Sequence, residues 1–211
     1  MSGLPATSPT VYVIDDDAST RELLAWLMKR HTIACETFAE PRSFLKAYRP
    51  GGAACLILDL HMPGMTGLDL QRTLREQGVQ LPVIFLSGRA DVPKAVEAVK
   101  CGAVDFVEKP FDYKKIVELV RECLARDEQA RHGRDKRRVM GERIAQLTQR
   151  EREVMERVVA GQMNREIAEQ LDISIKTVEA HRAKIMEKLG LRAVQELVQA
   201  ALDARELPRS R

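Results

Sequence analysis

The sequence predicts an α/β fold followed by an all-α domain. Two observations carry this. Five short apolar runs alternate with helical patterns through the first 125 residues, and only helical patterns follow residue 146. The apolar runs are continuous rather than alternating, as expected of strands buried on both faces of a parallel sheet. The expected front half is a flavodoxin-like, doubly wound, five-stranded sheet.

The elements can be read in order. Val11–Ile14 is the first apolar run, and Arg21–Lys29 follows with Leu23, Leu24, Leu27 and Met28 at helical spacing. Trp26 sits among these leucines and is expected in the core. Ile33–Phe38, Cys55–Leu58, Val83–Leu86 and Val104–Val107 are the remaining strands. Pro41–Tyr48, Leu68–Gln77, Val92–Lys100 and Ile116–Leu124 are the intervening helices. The expected domains are 1–125, a linker at 126–145, and 146–211. The linker, RDEQARHGRDKRRVMGERIA, is dense in charge and either helical or flexible.

In the back half, Thr148 and Glu151 have the spacing of a capping box. Val154, Val158 and Val159 share a face, and Gly161 ends that helix. Asn164–Leu171 is a second helix with Asn164 as candidate cap. Asp172-Ile173-Ser174 is a turn, Ile175–Leu189 a third helix, and Ala193–Ala204 a fourth.

Composition excludes several classes. The four cysteines, Cys35, Cys55, Cys101 and Cys123, have neither zinc nor disulfide spacing and are expected as reduced thiols. No apolar run reaches the length of a membrane helix, and the first residues do not have the pattern of a signal peptide. A cytoplasmic location is expected. Net charge is +3, unevenly distributed: residues 1–125 carry 15 Lys/Arg against 16 Asp/Glu, and residues 126–211 carry 19 against 15. A basic back half points to an acidic partner.

The chemistry lies at the strand ends. Asp15, Asp16 and Asp17 follow the first strand, Asp59 the third, Ser87 the fourth and Lys109 the fifth. Residues at the carboxyl ends of strands in an open α/β sheet converge where the strand order reverses. For the order 2-1-3-4-5, that crevice lies between strands one and three, which carry the acids. Clustered carboxylates require a cation, and hard oxygen donors with room for water suit Mg²⁺, with Mn²⁺ as substitute. A carboxylate can accept a phosphoryl group. Lys109 and the metal then supply positive charge to the phosphoryl oxygens, and Ser87 a hydrogen bond. Asp17 reads as a helix N-terminal charge.

Residues 10–125 resemble the receiver domain of response regulators. The matching features are Asp15-Asp16, the DxxMPGMxG run from Asp59, Ser87-Gly88, and Lys109-Pro110-Phe111. The resemblance implies that Asp59 is phosphorylated, that Asp16 and Asp59 ligate the metal directly, and that Asp15 holds it through water. It also implies that the His61 carbonyl completes the protein ligands, that Ser87 and Phe106 form a switch acting on the face at 91–115, and that Lys109-Pro110 is a cis peptide. Phe106 lacks the hydroxyl of the commoner tyrosine.

The run NREIAEQLDISIKTVEAHRAKIMEKLG reads as a helix-turn-helix. Ile167, Ala168 and Leu171 face inward from its first helix, and Ile175, Val178, Ile185 and Leu189 from its second. Lys176, Thr177, Glu179, His181, Arg182, Lys184 and Lys188 are then outward candidates for DNA contact. With its flanking helices, this run resembles the four-helix DNA-binding domain of LuxR-type regulators. Together the halves resemble response regulators of the FixJ/NarL class. That resemblance implies a transcription regulator rather than an enzyme, a sensor histidine kinase as donor, a phosphorylated homodimer, a double-stranded operator, and RNA polymerase as further partner. Two rivals are a DNA binder whose receiver only scaffolds a dimer, and a phosphatase passing through an aspartyl phosphate.

Overall fold

The computed structural model describes residues 8–88 and 102–205. The expected helix Val92–Lys100, Cys101, and the 91–101 part of the expected switching face lie outside the described residues. The chain forms two compact units, Met1–Arg131 and His132–Arg211.

The first unit is built on five parallel strands: β1 (Thr10–Ile14), β2 (Ala34–Phe38), β3 (Ala54–Asp59), β4 (Val83–Ser87) and β5 (Asp105–Glu108). Their order is β2-β1-β3-β4-β5, and every pairing is parallel. Alternate side chains of a strand point to opposite faces. Val11, Val13, Cys55, Ile57, Ile84 and Leu86 therefore pack on one side, against α1 (Ala18–Arg30) and the first part of α4 (Tyr113–Ala145). Ile14, Leu56, Leu58, Val83 and Phe85 pack on the other, against α2 (Pro41–Ala47) and α3 (Gly67–Glu76). β3 and β4 are buried along their whole length, and both are apolar up to their last residues, Asp59 and Ser87.

Helix ends follow local chemistry. Asp17 caps α1 by accepting from the N–H groups of Ser19 and Thr20. Thr66 and Asp69 form a reciprocal capping box at α3. The charged stretch 126–145 takes the helical alternative, because α4 runs for 33 residues. Its Arg, Glu, Gln and Ala residues are good helix formers, and Arg138–Glu142 is an i,i+4 ion pair within it.

Trp26 departs from expectation and is 52% exposed. It lies about 200° around the helix from Leu24, so helical phase outweighs its apolar neighbours. The guanidinium of Arg30 sits 5.5 Å from its ring centroid. Cys55 and Cys123 are buried, Cys35 is half-buried, and all three are free thiols.

The second unit holds α5 (Gln149–Val159), α6 (Asn164–Leu171), α7 (Ile175–Leu189) and α8 (Val194–Arg205) around one core. Leu147, Val154, Val158, Ile167, Leu171, Val178, Ile185, Leu189 and Leu197 fill it. The expected capping box is present: Thr148 Oγ1 accepts from Glu151 N–H, and a Glu151 carboxylate oxygen accepts from Thr148 N–H. Two details differ from expectation. Met163, not Asn164, occupies the cap position of α6. Ile175, expected inward, is 46% exposed, because it begins α7 beyond the packed stretch. Asp172, in the left-handed region at φ 52°, and capping Ser174 make the turn between α6 and α7.

Candidate phosphoryl-acceptor site and nucleic-acid interface

Four strand ends meet at one edge of the sheet. The register sets Ile14 beside Leu58, Asp59 beside Leu86, and Ser87 beside Glu108. The residues just beyond, or at, those ends are Asp15, Asp59, Ser87 and Lys109. Asp15, Asp59 and Ser87 are buried. Lys109 Nζ donates to Asp15 Oδ2 at 2.6 Å and to Asp59 Oδ1 at 2.9 Å. The other oxygens of both acids also accept. Asp17 N–H reaches Asp15 Oδ1 at 2.9 Å, and His61 N–H reaches Asp59 Oδ2 at 2.7 Å.

Asp16 is exposed and lines a cleft of about 400 Å³ with Asp59, His61, Gly88 and Lys109. Lys109-Pro110 is cis, as expected, and Lys109 N–H donates to Ser87 O at 2.7 Å. Phe106 is half-buried against the α2–α3 face of the sheet.

The electrostatics follow from burial and pairing. Burial raises the Asp15 carboxyl above its ordinary value, against the opposing pull of the Lys109 hydrogen bond. Burial also works against the Lys109 ammonium, but hydrogen bonds to Asp15 and Asp59 outweigh it and raise its pKa. Asp17 is lowered, first by the Thr20 hydroxyl and then by the Ser19 N–H. It is bound to helix α1 rather than to the cleft.

Sequence reasoning missed Arg21. Its Nη1 donates to the carbonyls of Asp15 at 2.7 Å and Asp16 at 2.9 Å, pinning the acidic loop from the first turns of α1. No local pattern separates it from a solvated helix cation. Asp127 was also missed. Buried on α4, it accepts from Ala54 N–H at 2.9 Å, at the opposite end of the strand that carries Asp59.

In the second unit, the expected DNA-facing residues divide. Lys176, Glu179 and Lys184 are exposed. Thr177 is half-buried, and its hydroxyl pairs with Ser174 at 2.8 Å. Arg182 Nη1 donates to Asn164 Oδ1 at 2.8 Å. The Nδ1 of His181 is buried. Lys188 Nζ donates to Glu151 Oε2 at 2.6 Å. Arg182 and Lys188 are thus bonded to the unit's other helices.

Known proteins match these features. Residues 11–121 match the response regulator receiver domain, and residues 145–201 match the bacterial regulatory proteins of the luxR family. The transcriptional regulatory protein FixJ of Azorhizobium caulinodans is 43% identical over 205 residues, covering 97% of each chain. The solved response regulator StyR is 36% identical, covering 93% of this chain and 99% of its own, with a TM-score of 0.81. Full-length FixJ from B. japonicum is also 36% identical, covering 94% and 98%, with a TM-score of 0.55. The chain belongs to the FixJ-type response regulators, phosphorylation-dependent transcription regulators in which a receiver domain precedes a LuxR-type DNA-binding domain.

Proposed function

We propose that Asp59 is the phosphoryl acceptor, and that a sensor histidine kinase is the donor. One observation carries this reading: a single ammonium, Lys109, spans the buried Asp15 and Asp59 carboxylates at the carboxyl edge of the sheet. An Asp59 carboxylate oxygen attacks the phosphorus of the phosphohistidine. The P–N bond breaks, and the imidazole leaves with its electron pair. Lys109 then balances charge on the transferred group. Ser87, buried at the end of β4, donates its hydroxyl to a phosphoryl oxygen.

The donor chemistry fits Mg²⁺, or Mn²⁺ in its stead. Among the described residues, no three acidic, imidazole or thiol side chains form a ready metal cage. The cleft is nevertheless lined by Asp16, Asp59 and His61, whose two carboxylates and one backbone carbonyl are the hard oxygen donors that Mg²⁺ takes alongside water. Asp15, Asp16, Asp59 and Lys109 together carry a charge of −2, which a divalent cation neutralises. Asp16, Asp59 and the His61 carbonyl would hold it, with Asp15 acting through water. When bound, it supplies charge neutralisation for the phosphoryl oxygens.

Movement of Ser87 toward the new phosphoryl group opens space that Phe106 turns to fill. This reshapes the face expected at 91–115 and favours a homodimer. Two weak DNA-binding units then act together at high effective concentration, on half-sites about 10 base pairs apart. RNA polymerase is the downstream partner, and the protein works in the cytoplasm, where the DNA is. Among the described residues, no helix is long and apolar enough to cross a membrane.

With Mg²⁺ and a small acyl phosphate, the protein should gain one phosphoryl group, sediment as a dimer and bind selected DNA more tightly. Asp59→Asn should abolish labelling. Base-resistant labelling of that variant would refute the acceptor, and multiple-turnover phosphate release would favour the phosphatase reading. Ser87→Ala should accept phosphate without dimerising.

A further inference from the structure

We infer that Ala180 and Ala183 are the sequence-reading residues of α7, and that they read the C5-methyl groups of thymines in the operator. This rests on α7 being the helix that enters the major groove.

The argument begins with helical phase. Val178, Ile185 and Leu189 are completely buried and define the inward stripe of α7. At about 100° per residue, Arg182 lies about 40° from that stripe, His181 about 60° and Lys188 about 80°. Their contacts agree with that placement. Arg182 bonds Asn164 on α6, Lys188 bonds Glu151 on α5, and His181 has a buried ring nitrogen. Ala180 and Ala183 lie about 160° and 140° from the stripe, and both are exposed. The face most opposed to the core therefore has two methyl groups near its middle, one turn before the exposed Glu187 at about 180°. Lys176 and Lys184, both exposed, lie before and after them along the helix.

That arrangement suits a groove. Lys176 and Lys184, at the two ends of the alanine pair, can reach backbone phosphates. Small residues between them let the helix axis approach the groove floor, where alanine meets the thymine methyl. Side chains at i and i+3 have Cβ atoms about 5–6 Å apart. Nucleotides along one strand are spaced about 3.4 Å apart. The two alanines can thus address thymines on neighbouring base pairs, but not a wider element.

The test uses the full chain, phosphorylated with a small acyl phosphate. DNA is first selected from a random duplex pool. Each thymine of the selected half-site is then replaced by deoxyuridine, which removes only the methyl. One or two neighbouring positions per half-site should each weaken binding about fivefold. Ala180→Ser and Ala183→Ser keep the side chains small and replace the methyl with a hydroxymethyl. In each, the deoxyuridine penalty at one position should fall below about twofold, the expected signature of direct coupling. Specific selection with no deoxyuridine penalty in the wild-type protein would overturn the inference alone, whether or not the serine variants fold. Penalties that persist unchanged in folded serine variants would also overturn it. Failure to select any sequence would overturn the DNA-binding role of α7, and this inference with it.

Discussion

The Nζ of Lys188 sits 2.6 Å from Oε2 of Glu151, joining α7 to the first turn of α5. Glu151 is 3% exposed. First the Lys188 hydrogen bond, then the Thr148 N–H, hold its carboxyl down to about 2 from an ordinary 4.5. A lowered carboxyl adds stability that is present above its unfolded value and lost as pH falls through its folded value. The DNA-binding unit should therefore lose stability between about pH 4.5 and pH 2. Glu151→Gln should flatten that dependence and cost about 2 kcal/mol near neutral pH. Lys188 is partly exposed, so Lys188→Met should cost a screened amount, about 1–2 kcal/mol. It should leave the salt dependence of DNA binding unchanged, because the lysine is bonded to protein. Urea titrations at several pH values and gel-shift titrations at several salt concentrations check both statements.

Arg21 should behave as a positioning residue for the acidic loop. Its guanidinium holds the carbonyls on either side of the Asp15–Asp16 peptide. Outer partners that orient metal ligands are typically worth 10–100-fold in affinity. Arg21→Ala should raise the Mg²⁺ concentration needed for half-maximal phosphorylation by about tenfold, with little change at saturating Mg²⁺. Equal losses at low and saturating metal would show that Arg21 acts on something other than the loop's geometry.

The pocket was legible because each of its members ends, or directly follows, a strand. Asp15, Asp59, Ser87 and Lys109 needed only the strand order to be brought together. The HTH helices were legible from their periodicity, and Asn164–Leu171 and Ile175–Leu189 have the expected limits. Polar residues with distant partners were not legible. Lys188 and Glu151 are 37 positions apart, and Ala54 and Asp127 are 73 apart. A charge on a helix looks the same in sequence whether it faces water, DNA or another helix. Trp26 and Ile175 failed for a different reason. Their side chains are apolar, but helical phase in one case and a helix end in the other keep them partly in water.

Asp127 should be worth more to the receiver than an exposed acid. Its Oδ2 satisfies the Ala54 N–H where β3 begins, and a buried donor left without an acceptor costs about 1–3 kcal/mol. Asp127→Ala should lower receiver stability by about that amount, while Asp127→Asn, which retains an acceptor, should cost less. The test is the receiver's transition in urea, with an unchanged slope for both variants. An alanine variant as stable as wild type would mean that another group takes over the Ala54 N–H.

Gly67 supplies the final prediction, because it sets the chain path beside the acceptor. It begins α3, and its N–H donates to Leu60 O at 3.2 Å, just past Asp59. A Cβ at Gly67 would lie 2.4 Å from the Asp59 carbonyl oxygen, 2.9 Å from Phe85 Cε1 and 3.1 Å from Leu58 Cγ. The nearest obstacle is backbone, so the chain carrying Asp59 must shift. Gly67→Ala should destabilise the receiver by about 1–3 kcal/mol, the usual cost of overpacking. It should also slow phosphorylation at saturating Mg²⁺, since small displacements of reacting groups are costly to rate. Gly64→Ala is the contrasting variant. Gly64 has φ +80°, but a methyl added there would meet nothing within 4 Å, so it should show backbone strain of about 1 kcal/mol and no direct push on Asp59. If both variants lose stability equally and phosphorylate at the wild-type rate, contact between Gly67 and the Asp59 backbone does not govern the acceptor's position.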